Sequence, residues 1–114
     1  MGVNATYNLT ITGTLPEGFD AEDIIGKLRR QFPDAKRYLD KDGNETRIDG
    51  CWREIVNDVS QFSEKYPNLM FYFAVEEEYQ TTTECRYYFE NGKHKLIEPI
   101  MTWPEFSAVP WGSH

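Results

Sequence analysis

Leu69-Met70-Phe71-Tyr72-Phe73-Ala74-Val75-Glu76 is followed, after an acidic and threonine-rich connection, by Cys85-Arg86-Tyr87-Tyr88-Phe89-Glu90-Asn91-Gly92-Lys93. In the first run Leu69, Phe71, Phe73 and Val75 alternate with Met70, Tyr72, Ala74 and Glu76; in the second, Cys85, Tyr87 and Phe89 alternate with Arg86, Tyr88 and Glu90. A period of two is that of a strand with one face in a core and the other turned away. Asn91-Gly92 is a strong two-residue hairpin signal, because both central positions of such a turn need a positive φ. A last strand over Lys93 to Ile97 completes an expected antiparallel meander.

Upstream, Trp52, Ile55, Val56, Val59, Phe62 and Tyr66 recur every three or four residues, the stripe of a helix from near Cys51 to Lys65, with Asp49 as its cap and Pro67 closing it. Nearer the amino terminus, Tyr7, Leu9 and Ile11 alternate with polar residues and predict a strand over residues 5 to 13. After the Gly13 to Gly18 turn, Asp20 is placed to cap a helix on the Asp23 amide, with Phe19 and Ile24 at hydrophobic-staple positions. Ile24, Ile25, Leu28 and Phe32 form its apolar face, and Pro33 ends it. Residues 36 to 50 read as two short strands around a tight turn. The expected fold is α+β, a ferredoxin-like antiparallel sheet with two helices packed on one face. Residues 1 to 111 form a single domain with an apolar tail bearing Trp103, Phe106 and Trp111, while Gly112-Ser113-His114 reads as a tag remnant.

The chain has 114 residues, enough for one core and too few for two. Twelve Lys and Arg against nineteen Asp and Glu leave a net charge of −7, with carboxylates crowding the second half at Glu76, Glu77, Glu78, Glu84, Glu90, Glu98 and Glu105. That sign repels phosphate backbones, so direct nucleic-acid binding is not expected. Neither a membrane-length apolar run nor the pattern of a signal peptide is seen, which points to a cytoplasmic protein with no membrane partner. Two cysteines, Cys51 and Cys85, are then expected as free thiols.

Catalytic motifs are not found. Nucleophilic catalysis needs a nucleophile beside an oriented base; His94, the one histidine outside the terminal His114, follows a hairpin turn, so Cys85 is read as structural. Asp40, Asp42 and Asn44 are spaced like the start of a calcium loop, but the glycine stands at the fourth position and no acid at the twelfth. Glu76, Glu77 and Glu78 alternate in direction along a strand and do not converge on a metal. The expectation is a protein that is not an enzyme and uses no cofactor.

The helix end Phe62-Ser63-Glu64-Lys65-Tyr66-Pro67-Asn68-Leu69, the hairpin Arg86-Tyr87-Tyr88-Phe89-Glu90-Asn91-Gly92-Lys93 and the opening Gly13-Thr14-Leu15-Pro16-Glu17-Gly18-Phe19 resemble small proteins of phages, prophages and plasmids, including those grouped under the YubB ferredoxin-like domain. The resemblance implies a fold and a mobile-element origin and carries no catalytic residues. Its genomic setting suggests non-catalytic binding to a host protein, such as inhibition of a nucleic-acid-handling defence protein in the manner of anti-CRISPR proteins. A homodimer is compatible with this reading. The partner-binding surface is placed at Glu76, Glu77, Glu78, Glu84, Tyr72, Arg86 and Tyr88, with Thr10 and Met70 on the same face. The alternative is a small-ligand or nucleotide-binding module whose pocket would be built from Arg86, Arg37 and the tyrosines.

Overall fold

The computed structural model describes residues 4–44, 50–78, 82–98 and 110–113. Strand β1 (Asn4–Gly13) leads to helices α1 (Ala21–Gln31), α2 (Pro33–Tyr38) and α3 (Ile55–Ser63), then to strands β2 (Leu69–Glu78), β3 (Thr82–Glu90), β4 (Lys93–Ile97) and the two-residue β5 (Gly112–Ser113). All neighbours in the sheet are antiparallel and follow chain order, β1-β2-β3-β4-β5. The α+β class is as expected. The sequential order differs from the split β-α-β order of a ferredoxin-like sheet, because β1 pairs directly with β2 across the whole helical segment.

Alternation along β1, β2 and β3 divides the sheet into a helix-facing side and an outward side, whereas on β4 the outward Lys95 and Ile97 are buried and Leu96 is exposed. Tyr7 and Leu9 of β1, Leu69, Phe71, Phe73 and Val75 of β2, and Cys85 and Phe89 of β3 are buried under the helices. Ile24, Ile25 and Leu28 of α1 and Ile55, Val59 and Phe62 of α3 meet them from the other side. Rings interlock through this layer: Phe62 lies edge-on to Phe71 at 5.7 Å and Trp52 edge-on to Phe73 at 5.8 Å. Such pairs add to the burial of the rings themselves.

Helix α1 begins in a capping box, in which Asp20 accepts from the Asp23 amide at 2.9 Å and Asp23 accepts from the Asp20 amide at 3.0 Å. The expected staple does not bury Phe19, which is 40% exposed with the Lys27 ammonium 5.0 Å from its ring centroid. Pro33 ends α1 and also begins α2, where the missing amide is harmless at the first helical position. A helical turn therefore stands where Arg37 and Tyr38 were expected in a strand, with Ala35 and Tyr38 buried three residues apart on its inner face. The second of those strands, at Arg47 and Ile48, and the Asp49 cap lie outside the described residues. Helix α3 is shorter than the stripe that predicted it, starting after Glu54 without a side-chain cap.

Both sheet edges are covered in part. The Ala5 and Leu9 amides of β1 donate to the carbonyls of Gly50 and Gly43 at 2.9 and 2.8 Å, and β5 pairs with β4. Gly112-Ser113, read as a tag remnant, is thus built into the sheet opposite Lys93 and His94. Open edges recruit other strands, and these closures limit that route.

Candidate functional site

The face of the sheet turned away from the helices carries the residues singled out for binding, and the strand register arranges them in rows. Thr10, Tyr72, Tyr88 and Lys95 are successive cross-strand partners on β1 to β4. The Tyr72 and Tyr88 rings stack with centroids 4.8 Å apart and planes 18° from parallel. Beside that row lie Asn8, Ala74, Arg86 and Ile97, and beyond it Thr6, Glu76 and Glu84. Ala74, with only a methyl side chain, stands opposite Arg86 and beside the tyrosine pair.

Glu76 stands directly opposite Glu84. Like charges at facing positions weaken a sheet, and Arg86 Nε lies 4.0 Å from Glu84 Oε1, at the outer limit of an ion pair. Glu76 is exposed and Glu84 half-exposed. Glu77 and Glu78 continue β2 opposite Thr83 and Thr82, but their side chains and the connection at residues 79–81 lie outside the described residues. Partial burial lifts the Tyr72 phenol above its ordinary range, and neighbouring Arg86 opposes that shift.

The carboxy-terminal segment covers one side of this face. Lys95 is 5% exposed despite pointing away from the helices, and its ammonium sits 4.6 Å from the Trp111 ring centroid, a cation–π contact. Trp103 and Phe106 lie outside the described residues. Toward β1 the face stays open, with Asn8, Thr10, Thr12 and Glu76 all exposed.

Other candidates separate in space. Arg37 lies on the helical side with its guanidinium over the Tyr38 ring at 5.7 Å, so it does not meet Arg86 across the sheet. Cys85 is buried opposite Val75, whereas His94 pairs with Phe89 four residues along β3, roughly 13 Å away at the rise of a strand. Asp40 Oδ1 accepts from the amides of Asp42 and Asn44 at 2.8 and 2.9 Å, so the calcium-like stretch is held as an aspartate turn. Among the described residues no three His, Cys, Asp or Glu side chains gather as a metal site requires, and no helix is long and apolar enough to cross a membrane.

The paired carboxylates were legible only once register was known, since sequence alone does not say which glutamates face each other. Comparison with family models, with curated proteins and with solved structures found no match.

Proposed function

We propose that the protein acts by non-catalytic binding of a basic protein surface to the β1–β3 part of the outer sheet face. The facing pair Glu76 and Glu84 carries this reading. Its mutual repulsion is a local cost that a cationic partner would relieve, and the stacked Tyr72 and Tyr88 beside it supply rigid, half-exposed aromatic area of the type enriched at binding hot spots. The net charge of −7 steers such a partner toward the protein. Proteins that handle nucleic acids present basic grooves of this kind, and inhibition of a host defence protein of that class is the narrower form of the proposal.

The test compares the native protein with a Glu76→Lys/Glu84→Lys variant, each immobilised and exposed to bacterial lysate over a range of salt concentrations. Stoichiometric capture of a basic protein by the native chain, weakened by salt and lost in the folded variant, is the expected outcome. Equal capture by both would remove the acidic face from the reading.

A further inference from the structure

Residues 24–39 carry Lys27, Arg29, Arg30, Lys36 and Arg37 against the single carboxylate of Asp34, in a chain that is strongly acidic elsewhere. Where α1 gives way to α2, Gly26, Arg29, Arg30, Pro33 and Lys36 line a groove of about 490 Å³. No acidic residue lines it, and none of its three cations has an ion-pair partner among the described residues. Arg29 Nε is shielded from solvent and meets no hydrogen-bond acceptor there. Buried donors are ordinarily satisfied.

Helix-dipole complementarity accounts for basic residues in the last turn of α1. It does not account for Gly26. This glycine sits inside α1 with no positive φ, and a Cβ there would meet only the Arg30 Nη1 atom, at an ordinary 3.5 Å. Neither backbone conformation nor packing therefore requires glycine, although glycine weakens a helix interior. It lines the groove beside Arg30.

We propose that this groove is a binding site for a small anion bearing two adjacent phosphates. Arg29 and Arg30 supply guanidinium donors suited to phosphate oxygens, and Lys36 a third positive charge in the lining. A volume of about 490 Å³ accommodates more than a single phosphate and falls in the range of small-ligand sites. A small ligand senses mainly the charges within a screening length, whereas a long polyanion also meets the acidic remainder of the molecule. The site is on the helical layer and independent of the outer sheet face.

Titration with inorganic pyrophosphate, followed by amide chemical shifts of the full chain, tests the assignment. Saturable shifts are expected at Gly26, Arg29, Arg30 and Lys36. Gly26→Glu places a carboxylate four residues before Arg30, where an ion pair supports the helix, so this variant is expected to melt no lower than the native protein while its pyrophosphate affinity falls by about tenfold or more. Adenosine diphosphate in a parallel arm separates recognition of the phosphates alone, shown by equal affinity, from added contact with a nucleoside, shown by tighter binding; either supports the site. Non-saturating shifts that sodium sulfate reproduces at equal ionic strength would overturn it. So would undiminished affinity in Gly26→Glu, or tighter binding of a single-stranded oligonucleotide than of pyrophosphate at matched phosphate concentration.

Discussion

The Trp52 backbone amide donates a 2.6 Å hydrogen bond to Tyr7 Oη, joining the approach to α3 to the middle of β1. The two rings meet edge to face at 6.1 Å, and Tyr7 also contacts Tyr38 at 5.4 Å. Tyr7→Phe keeps this packing but strands a buried amide, so a loss of roughly 1–3 kcal/mol is expected in urea unfolding. Burial also raises the Tyr7 phenol well above its ordinary range. Above about pH 10 the unfolded chain releases this proton while the folded one keeps it, so stability falls as pH rises, and Tyr7→Phe should soften that alkaline loss.

Ser63 at the end of α3 ties the helix to the last hairpin. Its hydroxyl donates to the Ser60 carbonyl at 2.7 Å and accepts from the Gly92 amide at 2.8 Å. Ser63→Ala should cost about 1–3 kcal/mol, because the Gly92 amide then has no acceptor in a dry site. Hydrogen exchange at Gly92 provides a local check: unchanged protection would show that another acceptor takes over.

Phe62 is 1% exposed and packs against Phe32, Tyr66 and Phe71. Truncation to alanine should remove about 3–5 kcal/mol, measured by equilibrium unfolding. A loss below about 1 kcal/mol would mean that the surrounding rings collapse into the space far better than cores ordinarily do.

A side-chain hydrogen bond with Asp42, together with its negative charge, raises the Glu22 carboxyl above its ordinary value. Within the window between those values the folded chain holds a proton that the unfolded chain has released, so this group's contribution to stability falls as pH rises through it. Asp42→Asn removes the repulsion. The variant should be more stable than the native protein near neutral pH, with the difference closing on acidification; melting temperatures between about pH 3 and 7 measure this.

Glu76→Lys converts the repulsive pair with Glu84 into an attractive one. A gain of about 0.2–1 kcal/mol in stability is expected together with weaker binding of a basic partner. If calorimetry shows a loss of stability instead, Glu76 has a supporting contact beyond this pair.

The meander was legible because period-two alternation and Asn91-Gly92 are local signals; Asn91 and Gly92 do adopt positive φ values of 48° and 80°. The α1 cap was equally local. Helix α2 escaped because Pro33 was read only as a terminator, when the same lack of an amide suits a helix start. Strand order and the Glu76–Glu84 opposition depend on pairing between distant segments, which no window of sequence encodes. For the same reason Arg37 and Arg86 could be imagined in one pocket until the sheet placed them on different sides.

The direct pairing of β1 with β2 has a kinetic consequence. The β2-β3-β4 contacts close short stretches of chain, whereas β1 must wait for the intervening helical segment to find its place, a late step with a larger loop-closure cost. Until then the inner face of β2, with Phe71 and Phe73, is incompletely shielded and its edge is unpaired. A chain that lost β1 to proteolysis would leave the β2 edge unpaired beside Phe71 and Phe73, an arrangement that favours aggregation.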